Sequence, residues 1–131
     1  MAYATIDDLY EAVPEAKIVP LVDDEGDGLQ VGARIDAALD RATDEIDARL
    51  EGIYDLPLDP VPDRARALCV DMAIFHLFSR VQEEISPTRK LKYENALAFL
   101  EDVRDGKTAL VKADGQEAEP SPSAGLRLYA I

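Results

Sequence analysis

The fold is decided by Val31-Gly32-Ala33-Arg34-Ile35-Asp36-Ala37-Ala38-Leu39-Asp40-Arg41-Ala42-Thr43-Asp44-Glu45-Ile46-Asp47-Ala48-Arg49-Leu50-Glu51. Ile35, Leu39, Ala42, Ile46 and Leu50, continued by Ile53, recur at steps of three and four, which is one face of a 3.6-residue period. The spacing predicts an amphipathic helix over about 31–52, roughly 30 Å long at 1.5 Å per residue. Its charges are sorted. Asp36, Asp40, Asp44, Asp47 and Glu51 share one stripe, and Arg34, Arg41 and Arg49 share another. At 100° per residue the two stripes lie on opposite sides of the apolar seam.

Toward the N-terminus, Thr5 is placed to accept an orphan N–H, with Asp8 three residues on as a short relative of the capping-box Glu. Ile6, Leu9 and Tyr10 then predict a short helix over 5–12, ended near Pro14. Lys17 to Val22 is apolar, but Pro20 inside it leaves its state open. Asp23 to Gly28 reads as a polar turn.

Toward the C-terminus, Gly52 weakens the helix end. Leu56 to Pro62 holds three prolines in seven residues, so it is neither helix nor central strand but a stiff connector. A third helix is predicted over 63–82, with Leu68, Met72 and Phe75 near one face and Val70, Ile74, Leu77, Phe78 and Val81 on another. A helix apolar on most sides belongs at the centre of a bundle. Ser86 and Pro87 supply an N-cap and first position for a fourth helix over 87–105, which Gly106 ends. The expected fold is all-α, a small bundle of about four helices with an acidic loop. Residues 1–106 form the helical domain. Residues 107–131 form a flexible C-terminal arm, whose segment from Ala113 to Gly125 is rich in Pro, Ser, Gly, Ala and Glu. Its tip, with Leu126, Leu128, Tyr129 and Ile131, is apolar and begins with strand-like alternation.

Composition narrows the function. Net charge is −13, and 17 acids against 4 bases lie between Met1 and Asp63, while the rest of the chain is balanced. Such a surface repels a nucleic-acid backbone. No basic-then-apolar leader and no apolar run near the ~20 residues of a membrane span are present, so no signal peptide and no membrane contact are expected. The lone Cys69 forms no internal disulfide, and no Cys/His cluster suits zinc. These features suit a protein made in a reducing cytoplasm.

Three patterns resemble sites. Asp23, Glu25, Asp27 and Gly28 imitate the first half of an EF-hand loop, but the twelfth position is Arg34 where calcium requires a bidentate Glu, and Gln30 replaces the apolar anchor. An acidic turn using Gly26 and Gly28 at positive φ is the simpler reading. His76, the sole histidine, lies three residues before Ser79, yet no oxyanion loop or third orienting group accompanies them, which favours a satisfied core or interface histidine. Arg89, Lys90 and Lys92 gather at the start of the last helix, against its dipole, which reads either as a solvated helix end or as a patch suited to an acidic partner. No catalytic residue, metal or cofactor is expected.

Four segments carry a resemblance to a family. They are Met1-Ala2-Tyr3-Ala4-Thr5-Ile6-Asp7-Asp8-Leu9, Leu21-Val22-Asp23-Asp24-Glu25-Gly26-Asp27-Gly28, Ile46-Asp47-Ala48-Arg49-Leu50-Glu51-Gly52-Ile53-Tyr54 followed by Leu56-Pro57-Leu58, and Tyr93-Glu94-Asn95-Ala96-Leu97-Ala98-Phe99-Leu100 with Gly106-Lys107. In this order and spacing, over about residues 1–110, the chain resembles the head–tail connector (adaptor) family of Mu-like phages and prophages. The resemblance implies a structural subunit at the head–tail junction of a virion, made in the bacterial host cytoplasm. It implies a ring of twelve copies docked under the portal protein, contacting a neck, stopper or tail-completion protein, with DNA passing through the channel without specific binding. It implies no catalytic residues. The terminal arm is then expected on the portal, and the two charged stripes of the long helix at a ring interface or along the channel.

Two other classes fit part of the pattern. A small helical DNA-binding regulator needs a basic recognition face, and only Arg64, Arg66, Arg89, Lys90 and Lys92 are available beside the acidic half. An acidic DNA-mimic inhibitor fits the charge but leaves the arm without a use. A small hydrolase has no constellation to support it.

Overall fold

Thr5 opens the first helix as its capping pattern predicts. Its hydroxyl accepts from the Asp8 N–H at 3.1 Å, and the Asp8 carboxylate accepts from the Thr5 N–H at 2.9 Å. Helix α1 spans Ile6–Ala12 and buries Leu9. The computed structural model describes residues 2–81 and 85–110, all helical in their regular parts and without a strand among the described residues.

The apolar stretch around Pro20 is a helix, α2, Glu15–Val22, which makes five helices among the described residues where the sequence predicts about four. Proline removes one helical hydrogen bond, leaving the carbonyl four residues earlier without its donor. Here that carbonyl belongs to Ala16, and both Ala16 and Pro20 are exposed, so water can serve the freed acceptor. Ile18, Leu21 and Val22 are buried on the opposite side and hold the helix to the core.

Helix α3, Val31–Leu50, follows the predicted period and buries Ile35, Ala38, Leu39, Ala42, Thr43, Ile46 and Leu50. Gly52, at φ +83°, turns the chain out of it. The proline-rich connector is anchored at Leu58 and Pro62, both buried. Helix α4, Asp63–Ser79, ends three residues before its predicted limit. Nine of its seventeen residues are buried, the largest share in any helix, so it is the central one. Helix α5, Pro87–Arg104, starts on a Ser86 cap that accepts from the Arg89 N–H. It ends in a Schellman motif: Lys107 N–H donates to Asp102 O at 2.8 Å, Gly106 N–H donates to Val103 O at 3.1 Å, and Gly106 has φ +80°.

Helices α4 and α5 run antiparallel. Arg89 leans on Phe78, Tyr93 stacks on Phe75 at 4.0 Å, and Arg64 lies over Phe99. Helix α3 packs on both. The packed chain continues past Gly106, because Leu110 is fully buried and its N–H donates to the Tyr54 hydroxyl. The expected arm tip at Leu126, Leu128, Tyr129 and Ile131 lies outside the described residues.

Candidate functional site

The two flanks of α3 face different surroundings. One borders the N-terminal segment. There the Tyr3 N–H donates to Thr43 Oγ1 at 3.0 Å, the Tyr3 hydroxyl donates to the Asp47 carboxylate, and that same hydroxyl accepts from the Leu58 N–H at 3.0 Å. Tyr3 thus clamps the N-terminal segment, α3 and the proline-rich connector together. Burial, and then the bond to Asp47, push its phenol far above the ordinary range. Burial also raises the Asp47 carboxyl, against the lowering effect of the Tyr3 hydrogen bond.

Of the predicted acidic stripe, Asp47 is therefore engaged within the fold. Asp36, Asp40 and Asp44 are exposed and make no ion pair with any described residue. Asp36 and Asp40 line an open groove of about 590 Å³, whose other walls come from Ala2, Ala4, Thr5, Ile6 and Asp7. Farther along the helix, Asp44, Asp47 and Glu51 border a second concavity of about 410 Å³ that Asp55 completes. The stripe therefore borders two concavities, and Tyr3 engages it at Asp47.

The other flank borders α5 and is mostly self-satisfied. Arg49 Nε lies 3.4 Å from Glu101, and its Nη1 donates to Glu45 O at 3.3 Å. Arg34 forks onto Glu25 with two bonds of 2.8 Å, approaches Asp24 at 3.3 Å and donates to Val22 O at 2.7 Å. Of the three predicted basic residues only Arg41 is exposed and unpaired among the described residues. Between them Glu45, which no predicted stripe included, accepts from the Tyr93 hydroxyl at 2.7 Å and bonds His76 Nε2. His76 is 6% exposed and meets the edge geometry of both Phe75 and Tyr93. Burial, followed by the Glu45 bond, pushes the Tyr93 phenol up to about 12.

These bonds decide what the polar core does. Ser79 Oγ donates to Phe75 O at 2.7 Å, and Cys69 lies within 3.5 Å of Thr43 Oγ1, so neither nucleophile bonds His76. Burial raises the Cys69 thiol, which keeps it unreactive. The His76–Glu45–Tyr93 set ties α4, α3 and α5 together as a structural bridge. The sequence favours a satisfied core or interface histidine at position 76 but carries no sign that Glu45 is its partner.

The acidic loop is a knot rather than an open ligand site. Asp23, Glu25 and Asp27 bring oxygens within 4.8 Å of one another, close enough to share a cation. Each is already engaged: Asp23 accepts from the Gly28 N–H, Asp27 from the Leu29 N–H, and Glu25 holds Arg34. Gly26 and Gly28 take φ +77° and +74°, as the turn reading expects. Arg80 reaches in from the end of α4 to Leu21 O and, at 2.8 Å, to Asp24. The two guanidiniums hold the Asp24 and Glu25 carboxyls below their usual range.

The basic patch is present at the start of α5. The Arg89 guanidinium lies over the Phe78 ring, 4.1 Å from its centroid, a cation–π contact. Lys90 and Lys92 are exposed and without an ion pair among the described residues, and Leu91 between them is 57% exposed. Lys92, Arg89, Asp71 and Ile74 line a pocket of about 230 Å³ against the end of α1. Burial raises the half-buried Asp71 carboxyl, which Lys92 and Arg64 only partly offset.

No described helix is long and apolar enough to cross a membrane. The family model of Bacteriophage Mu, Gp36, matches residues 3–127 of the chain. Gene product J of Escherichia phage Mu is 34% identical over 110 residues, covering 82% of this chain and 75% of that protein. A chain matched along nearly its whole length by this model belongs to the Bacteriophage Mu Gp36 family.

Proposed function

We propose that this phage protein is a non-enzymatic head–tail connector, one copy in a ring, probed best at its acidic face. The carrying observation is the asymmetry of α3, where Asp36, Asp40 and Asp44 stay exposed and unpaired while two of the three arginines opposite them are tied down within the subunit. A packed subunit that leaves one sign of charge outward along a 20-residue helix is built to meet other molecules through it. Arranged in a ring, the acidic half of each subunit gives a channel that repels the duplex and lets it slide. Membership of a phage Mu protein family supports a place in the virion, and the resemblance to connectors supports the head–tail junction under the portal. The terminal arm, through Leu126, Leu128, Tyr129 and Ile131, is the proposed portal anchor.

The test is to replace the gene in its phage with the triple variant Asp36→Lys, Asp40→Lys, Asp44→Lys, which leaves the Tyr3–Asp47 clamp intact, and image the particles. Filled heads that lack tails, with the purified variant still helical, are the expected result. Normal phage yield from this variant would sink the role of the stripe. Antibody label found anywhere but the head–tail junction of wild-type particles would sink the connector reading itself.

A further inference from the structure

The acidic groove and the basic start of α5 lie on different sides of α3. The groove borders the N-terminal segment, the flank where Tyr3 meets Thr43 and Asp47. Helix α5 lies on the other flank, where Tyr93 meets Glu45 and Glu101 meets Arg49. One chain therefore cannot bring the two together, but two copies can.

Their surfaces match in chemistry. In the groove, half-buried Ala2 and Ile6 give an apolar floor, and exposed Asp7, Asp36 and Asp40 give an acidic rim. On α5, Leu91 is 57% exposed and projects away from the face that buries Ala96, Leu100 and Val103. Lys90 and Lys92 flank it, both exposed and without an ion pair among the described residues, with Lys92 also facing the pocket that holds Asp71. A large apolar side chain bracketed by two ammonium groups is the counterpart of an apolar floor bracketed by carboxylates.

We infer that the ring contact is head to tail, the Lys90-Leu91-Lys92 knob of one copy seated in the Asp7, Asp36 and Asp40 groove of the next. This rests on the ring reading and names the surfaces that make it. The contact does not use α3's own arginine stripe, because Arg34 and Arg49 are already held by Glu25 and Glu101. The contact is heterologous, so the same pair of surfaces repeats around a closed ring. Each copy keeps Asp44, Glu51 and Asp55 outside this contact, free to face the channel.

Sedimentation of the full chain at high concentration and low salt tests it. Wild type is expected to self-associate, and to dissociate as added salt screens the rim. The double variants Asp36→Lys with Asp40→Lys, and Lys90→Glu with Lys92→Glu, are each expected to weaken association about tenfold or more. Mixing the two variants is expected to restore it, since each supplies the reversed partner of the other. Leu91→Ser should weaken it as well, with helix content unchanged because the side chain points outward. Variants that associate like wild type overturn the assignment of surfaces and leave the ring standing. Wild type that stays monomeric, with mixtures that also stay monomeric, overturns the knob-and-groove contact. The connector reading is then decided separately by where label falls on particles.

Discussion

The two flanks of α3 carry comparable numbers of charges and meet opposite fates. On the flank opposite the N-terminal segment, Arg34 holds Glu25 of the acidic loop, while Glu45 and Arg49 reach His76, Tyr93 and Glu101 of α4 and α5. On the N-terminal side, only Asp47 is engaged, by Tyr3, while Asp36, Asp40 and Asp44 stand in solvent. Sorting of charge along a helix therefore tells where surfaces differ. What decides function is which charges the fold leaves without partners.

The comparison predicts a ladder of stability effects. At its top is the core both flanks enclose. Met72 is fully buried on the central helix α4, and Met72→Ala should cost about 2–5 kcal/mol. Urea denaturation checks this, and a loss under about 1 kcal/mol would show that α4 is peripheral.

Next come the engaged charges. Glu45→Ala strips both partners from one side chain, leaving the His76 ring nitrogen and the Tyr93 hydroxyl unpaired at the α3–α4–α5 junction. An unsatisfied buried polar group costs about 1–3 kcal/mol, reduced here because the Glu45 side chain is 23% exposed. On the opposite flank the equivalent position is Asp44, and Asp44→Ala should change stability by no more than about 0.5 kcal/mol. Equal losses from the two neighbours, in parallel thermal melts, would erase the distinction between the flanks.

Tyr3→Phe probes the one place where the acidic flank is engaged. It removes the donor to Asp47 and the acceptor for the buried Leu58 N–H, and should cost about 1–2 kcal/mol. Hydrogen exchange at the Leu58 amide should rise in step. Unchanged protection there would mean the clamp does not hold the connector.

Much of this was legible in sequence. The period of α3, the Thr5 cap, the Ser86-Pro87 start and the Gly106 stop all act locally, so a few residues determine them. Helix α2 was not legible, because proline argues against a helix and only the tertiary fact that Ala16 and Pro20 face water removes the objection. The basic stripe was legible as a stripe and illegible as engaged, since Glu25 and Glu101 are brought to it by the fold. Tyr3 and Glu45 were missed as structural hubs for the same reason: their partners lie 31 to 55 residues away.

The smallest effect expected is acid-induced, and it separates the two kinds of carboxylate without any mutation. Asp24 and Glu25 are lowered by their arginines, so folding favours their ionised forms. What they contribute is complete above the ordinary carboxylate range near about 4 and is lost as pH falls through their depressed values. Asp47 is raised by burial, so folding favours its protonated form, and the sign reverses: its contribution is present at low pH and is lost as pH rises through its elevated value. At neutral pH the acidic loop is therefore fully clamped, while Asp47 carries a desolvation cost that the Tyr3 hydroxyl eases. An NMR titration of side-chain carboxyl carbons should find Asp24 and Glu25 titrating below the free-chain range and Asp47 above it. The backbone signals of residues 23–30 should shift with the first pair, as Arg34 and Arg80 release the loop, and those around Thr43 with the second. Ordinary titration of all three, or a loop that stays put while Asp24 and Glu25 protonate, would show that the arginines decorate the loop rather than hold it.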